Sequence, residues 1–474
     1  MADRLLEHNT NLITTIIAFP ICIIVALILV KVDTIYAITA AIGLGVLILT
    51  FINTDFAIYT LIFSMLLSPE FGSRSTAGEG VTIRIDDVLM VIILFTWLAK
   101  TALYKELSLF KKSPLNKPIA YYTFMCFFAT GAGMLFHDVK PLNGFFFVVK
   151  YIEFFLIYFM VVNHIRSKKQ FDNFVIALQI TFVIVVIVSI LQIPSGNRIT
   201  APFEGDGGEP NTLGGYLIFI IAINLSLILQ PGIIPSPKHR RLLLWLTAVA
   251  VLPFLLTNSR GSWVAAIPVI IAYIILSNRR WIIVGFVVFF ILMAPIVLPD
   301  TVIDRVKYTF EKEQGYGATL QENVGGLTID TSASERIRSW KEGWKGIKKS
   351  PLFGYGITGW RFLDAQWMRV LIETGFFGLG FFLYLQYSIL NETWKVFKNS
   401  KIPFFKYFAQ GFFVATIAMM VHSIGANTFI IIRIMEPFWL VCGLVISIPF
   451  IEEIEMKKLQ DLKDEVTRIK LGTI

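Results

Sequence analysis

Runs of about twenty apolar residues, separated by short polar connections, recur along this chain. A run of that length spans the ~30 Å hydrocarbon layer of a bilayer as a helix, and in lipid a helix satisfies its own backbone polar groups. The composition agrees: 55% of the 474 residues are hydrophobic and only 16% are charged, against about 25% charged in soluble proteins. The chain therefore reads as all-α, a polytopic membrane helix bundle.

About fourteen candidate spans can be placed at the length a bilayer requires. They run near 11–31, 33–53, 55–69, 85–102, 117–136, 143–163, 171–193, 212–230, 242–257, 261–277, 281–298, 366–389, 404–424 and 428–450. The third is short enough to be re-entrant, so the expected count is about twelve to fourteen. The expected organisation is transmembrane helices over 1–298, one long loop over 299–365, further transmembrane helices over 366–450 and a charged tail over 451–474. The first run, "NLITTIIAFPICIIVALILV", lacks a small-residue cleavage site and reads as a span rather than a removed leader. There is no legible internal repeat of the kind many transporters carry.

The formal net charge is +9, but it does not suggest nucleic acid as a partner. The basic residues sit in connections such as "YKELSLFKKSPLNK", "HIRSKKQ", "PSPKHRR" and "WKVFKNSKIPFFK", which fall on one side if the helices alternate. By the positive-inside rule that side is the cytoplasm, and both termini join it. The opposite, outer side receives "NRITAPFEGDGGEPN", the short connection holding Arg260, and the long loop. Cys22, Cys126 and Cys442 are scattered in apolar segments and read as small hydrophobes, not a disulfide framework. The five histidines show no paired metal spacing. Asp86 and Asp87 stand at an outer helix start, where acidic residues are favoured in any case. No cofactor and no metal are expected.

Arg260, in "TNSRGSWVAA", is out of place beside two apolar runs, because arginine near a bilayer core is costly. Its bland reading is an interfacial anchor beside Trp263. In the long loop, Ser332 followed by Glu335 has capping-box spacing for a helix start, and Ser350-Pro351 marks its end. Between them Arg336, Trp340, Trp344 and Lys348 recur every fourth residue, which suits a helix lying in the headgroup plane. That helix would carry Arg336, with Arg338 as the alternative ligand, toward the surface that holds Arg260. "PLFGYG" then makes a tight turn; it follows no strand, so it is no dinucleotide fingerprint. A span beginning near Asp364 puts Gln366, Arg369 and Glu373 on one face, with Arg369 and Glu373 at ion-pair spacing. Asn211 opens another span, and capping it is the simpler role than binding sugar. His422, Arg433 and Glu436 fall near the last outer loop and are expected to line the same cavity.

Several of these elements together resemble the O-antigen ligase and polymerase superfamily of bacterial envelope glycosyltransferases. They are "SRGSW" opening a span, Arg336 with Trp340, Pro351, Gly354 and Gly356 at the family's spacing, "EPNTLGGYL", and "LIETGFFG". The resemblance covers about residues 200–450. It departs at one place: where ligases carry a His-Asn pair, with the histidine implicated in catalysis, this chain has Asp364-Ala365. That substitution resembles the repeat-unit polymerases more than the ligases.

The resemblance implies a GT-C-like bundle in the bacterial cytoplasmic membrane, acting at its outer face on an undecaprenyl-diphosphate-linked oligosaccharide. A flippase and a chain-length regulator of the same pathway are the implied protein partners. Arg260 and Arg336 would hold the diphosphate, Asp364 would act on the attacking hydroxyl or cap its helix, and Asn211, Gln366, Arg338, Arg369, Glu373 and Arg433 would line the substrate site. The competing expectations are a ligase that moves finished glycan to lipid or protein, and a multi-pass transporter or flippase.

Overall fold

The computed structural model describes residues 44–68, 70–71, 83–104, 112–137, 139–204, 208–309, 321–324 and 327–470. The expected span 11–31 and most of 33–53 lie outside them. Fourteen helices make up the described fold: α1 Thr54–Leu67, α2 Ile85–Tyr104, α3 Asn116–Phe136, α4 Pro141–His164, α5 Lys168–Gln192, α6 Pro210–Leu229 and α7 Pro237–Leu256; then α8 Arg260–Leu276, α9 Arg280–Val297, α10 Asp300–Tyr308, α11 Thr331–Ile347, α12 Gln366–Asn399, α13 Pro403–His422 and α14 Ile432–Lys470. Strand among the described residues is confined to two two-residue antiparallel pairs, Glu70–Phe71 with Ile83–Arg84 and Asn323–Val324 with Leu327–Thr328.

Each expected span within the described residues is a helix, but they are not equal. Eight are long and apolar enough to cross a membrane, or nine if α9 and α10 count as one span bent by 94°. That count is of the described residues alone. α1, with 14 residues, rises only about 21 Å. α8 has 17 residues and begins at Arg260 itself, so the arginine forms the first turn of a short helix. The last span runs on into the charged tail as one helix, α14, to Lys470.

α13 packs on α6 and α8, α14 on α4, and α12 on α3 and α13. Phe171, Phe174, Phe182, Phe219, Phe405, Phe408, Phe412 and Phe438 are fully buried between them. Other phenylalanines, such as Phe95, Phe124, Phe136 and Phe286, stay exposed on the outside of the bundle.

A second, smaller core lies at one end of the bundle. Ile347, Tyr355, Leu363, Met368, Leu371 and Ile372 cluster there, with Trp340 and Trp360 packed against them. α11 thus docks onto the first turns of α12. Gly343 and Gly346 permit the approach: a Cβ at Gly343 would lie 2.4 Å from Met368 and one at Gly346 would lie 2.9 Å from Ile372. Trp340 turns into this core, while Trp344 stays exposed.

The glycine turn after α11 completes the arrangement. α12 is interrupted at Gly375, whose φ is 68°, and the interruption opens carbonyls of the preceding turn. The amides of Tyr355 and Gly356 donate to Ile372 O and Glu373 O, both at 2.9 Å, and Phe376 N donates to Pro351 O at 2.9 Å. The "PLFGYG" loop is therefore a hydrogen-bonded insert in a broken helix. Irregular backbone near a membrane needs such compensation.

Candidate functional site

The loop-helix end of the bundle concentrates arginine. Arg260 opens α8, whose N-cap Ser259 accepts from Ser262 N. Ser259 Oγ also donates to Asn211 Oδ1 at 2.6 Å, joining the starts of α6 and α8. Asn211 Nδ2 donates to Glu209 at 3.0 Å, so Asn211 links two helix entrances. Arg260 grips Asp330 with both terminal nitrogens: Nη2 donates to Oδ1 at 2.9 Å, and Nη1 donates to Oδ2. Nη1 also donates to Thr309 Oγ1 at 2.9 Å.

Asp330 is the N-cap of α11, accepting from Ser332 N and Ala333 N. The helix thus starts at Thr331, and the expected capping box of Ser332 with Glu335 is replaced by an aspartate just upstream. Asp330 is completely buried. Burial pushes its carboxyl up, but Arg260 and the helix amides outweigh it and hold the group below the usual aspartate value.

Arg336, on the second turn of α11, reaches Asp364 with Nη2 at 3.6 Å from Oδ2. Its Nε is buried without an acceptor among the described residues. Asp364 precedes α12, but the N-cap is Ala365, with no side-chain cap bond. Asp364 therefore does not cap the helix; its carboxylate pairs with Arg336 and remains 40% exposed. Burial raises the Asp364 carboxyl above its ordinary value, with Arg336 opposing and Glu209 adding to the rise.

Two further arginines belong to this group. Arg198 donates to Thr257 O at 3.2 Å and to Asn258 O at 3.0 Å. Arg305 lies on α10, one turn before the Thr309 that touches Arg260. Arg198 and Arg305 are each pushed below the ordinary arginine value by burial and by the positive charges of Arg260 and Arg336. Sequence reasoning missed both. Both fall on the expected outer side, but the partners that draw them into the cluster lie far along the chain.

The other expected site residues are placed differently. Arg338 lies within electrostatic range of Glu322. Gln366 is buried, its Oε1 accepting from Phe429 N at 3.1 Å and its main-chain N–H donating to Ser423 O at 3.2 Å. Arg369 and Glu373 form a buried pair at 3.0 Å, and Glu373 also accepts from Thr358 N at 3.3 Å. Arg433, Glu436 and His422 are completely or almost completely buried, so they do not line an open cavity as expected. Arg433 donates to the carbonyls of Leu66 at 2.7 Å, Pro202 at 2.8 Å and Ser68 at 3.1 Å. His422 is engaged on both ring nitrogens, at 3.1 Å by Ser262 Oγ and at 2.7 Å by Thr428 Oγ1.

Asp86 pairs with Arg84, and Asp87 with Lys150. Among the described residues no group of three His, Cys, Asp or Glu side chains is arranged to hold a metal ion. A cavity of about 930 Å³ lies at the opposite end of the bundle, lined by Glu392, Lys395, Ser400 and Glu452. It contains no arginine, and its acidic and basic side chains are mixed. The arginine cluster is the stronger candidate for anion chemistry, because guanidinium forks match phosphate oxygens.

No curated protein matches the chain. Residues 242–383, from α7 into α12, match the Wzy_C family model, described as O-antigen ligase. That stretch holds Arg260, Arg305, Asp330, Arg336, Asp364, Arg369 and Glu373. On this match, residues 242–383 of the multi-pass membrane protein described above are similar to the O-antigen ligase family.

Proposed function

We propose that the protein is a polysaccharide polymerase that joins oligosaccharide repeat units carried on undecaprenyl diphosphate. The reaction takes place at the outer face of the bacterial cytoplasmic membrane, with both termini in the cytoplasm. The observation that carries this reading is Asp364, partly open and paired with Arg336, within the arginine cluster.

The chemistry asks for little beyond positioning and charge. A hydroxyl of the acceptor glycan attacks the anomeric carbon of the donor. The bond from that carbon to the diphosphate oxygen breaks, and its electron pair leaves with the polyprenyl diphosphate. Guanidinium groups stabilise the growing negative charge, and charge-assisted hydrogen bonds of this kind contribute about 1.5–3 kcal/mol each. The proton of the attacking hydroxyl passes to the Asp364 carboxylate. A carboxyl raised above the ordinary aspartate value is a better proton acceptor than a fully solvated one. Neither a nucleotide sugar nor ATP is needed, because the donor carries its own leaving group.

The ligase reading would ask for a histidine near the acceptor. His422, which packs beside the start of α8, is buried and held on both ring nitrogens. That favours the polymerase. The test is incubation of purified protein with synthetic polyprenyl-diphosphate repeat units, resolved on a gel. A ladder of glycans is expected. Transfer of a single finished glycan to lipid, without a ladder, would favour the ligase; solute counterflow in liposomes without a ladder would favour a transporter.

A further inference from the structure

The four arginines of the cluster are not equally engaged. Arg260 commits both terminal nitrogens to Asp330 and Thr309. Arg198 is tied to two main-chain carbonyls. Arg336 makes one loose ion pair with Asp364 and has a buried Nε without an acceptor. Among the described residues, Arg305 Nε is likewise buried without an acceptor, and its guanidinium stands 5.6 Å from the Tyr308 ring.

The placement of Arg305 is fixed by its helix. Thr309 Oγ1 donates to Arg305 O at 3.2 Å, and Thr309 O accepts from Asp330 N at 3.0 Å. The end of α10 is thus joined to the Arg260–Asp330 pair, and Arg305 lies one turn back from that junction. Arg260 and Arg336 pair with the carboxylates of Asp330 and Asp364, and Arg305 lies within electrostatic range of Asp330. Glu209 and Glu335 also act on Asp364, so the four guanidinium groups stand among four carboxylates.

We propose that Arg305 is a substrate-contacting residue which, with Arg336, holds the diphosphate of the lipid-linked donor, while Arg260 is a positioning residue acting through Asp330. This rests on the transferase reading above. A sugar–diphosphate–lipid diester carries one negative charge on each phosphate. When the bond to the sugar breaks, the electron pair stays on the diphosphate and adds a further negative charge. A second uncommitted guanidinium therefore does more in the transition state than in the ground state, which is the condition for raising kcat.

The experiment compares wild type, R305A, R305K and R336A in two assays on the purified full-length protein. One is binding of undecaprenyl diphosphate against undecaprenyl monophosphate; the other is polymerisation kcat and KM. R305A is expected to lower kcat on the order of a hundredfold and to weaken diphosphate binding more than monophosphate binding. R305K, which keeps the charge but loses the fork, is expected to recover part of both and guards against a folding defect in R305A. Wild-type behaviour of R305A while R336A loses diphosphate binding overturns the role of Arg305 and leaves the transferase reading standing. Failure of the wild-type protein to bind undecaprenyl diphosphate overturns both.

Discussion

Arg260 and Asp330 face each other through two parallel hydrogen bonds, and Asp330 in turn caps the helix that carries Arg336. The arginine that is most conspicuous in the sequence is therefore joined to the candidate site through a carboxylate. Its guanidinium fixes where α11 begins, and α11 fixes where Arg336 meets Asp364. The costly placement of an arginine at the start of a short apolar helix is offset by a bidentate partner on the long loop.

This arrangement separates two kinds of arginine variant. Removing one partner of a buried, hydrogen-bonded ion pair costs about 3–5 kcal/mol, and here the cost falls on docking of the loop. R260A and D330A are each expected to open the 299–365 loop to limited proteolysis and to lower activity through that loss. Their effects are expected to be far from additive in the double variant, since either change alone breaks the same pair. R336A is expected to abolish activity with the loop still protected. A protected loop in R260A, with activity lost, would return Arg260 to direct contact with substrate.

The same pair has a pH signature. The Asp330 carboxyl is held below the usual aspartate value, so it contributes stability that is present above its unfolded value of about 3.9. That contribution is lost as pH falls through the lower folded value. Protease protection of the loop is expected to persist at pH 5 and to fail only in strong acid. D330N is expected to lack that acid transition and to show the weakened docking at every pH.

Asp364 behaves in the opposite sense. Its carboxyl is raised by burial, and the proposed reaction needs it ionised. Activity is therefore expected to fall on the acid side with a midpoint above about 3.9, the ordinary aspartate value. D364N is expected to remove that limb and to reduce kcat by about 10²–10⁴, while donor binding changes little. An unchanged acid limb in D364N would assign the titration to another group.

Much of this architecture can be read from the sequence because its signals are local. A twenty-residue apolar run or an isolated outer arginine announces itself within a short window. Arg369 and Glu373 were legible as a pair because i,i+4 spacing on one helix brings them together. Asp330, Arg198 and Arg305 were not, because their roles depend on partners far along the chain: Asp330 lies 70 residues from Arg260. Gly343 and Gly346 look like helix-weakening residues until α12 is laid against them. Arg433 shows the reverse error. Position alone put it beside the substrate, yet its donors go to three carbonyls from two other segments.

Arg433 accordingly supplies a prediction of stability, not of affinity. Its guanidinium joins the end of α1 to the segment before α6 and stands 3.6 Å from Glu204. R433M removes the charge but keeps an apolar stem. It orphans three buried carbonyls and leaves Glu204 without this countercharge, which is expected to cost several kcal/mol. The expected result is a lower melting temperature in detergent and reduced yield, with donor KM unchanged in the protein that folds. A raised KM at unchanged stability would place Arg433 in contact with substrate after all.

The interruption of α12 gives the most direct test of the glycine motif. Gly375 adopts a left-handed φ of 68°, and a Cβ there would come within 2.2 Å of Leu352 O. The backbone conformation alone costs an ordinary residue about 1–3 kcal/mol, and the contact is with main chain, which cannot swing away. G375A is expected to force apart α12 and the "PLFGYG" insert, breaking the bonds from Tyr355 and Gly356 to Ile372 and Glu373. Arg369 and Glu373 lie on the turns just before that break, and Arg336 and Asp364 are held by the same docked loop. The expected outcome is loss of protease protection over 331–365 and loss of activity together, while Gly380, which meets nothing within 4 Å, accepts alanine without effect on either. Retention of both loop protection and activity in G375A would show that the break in α12 is not needed to hold the site.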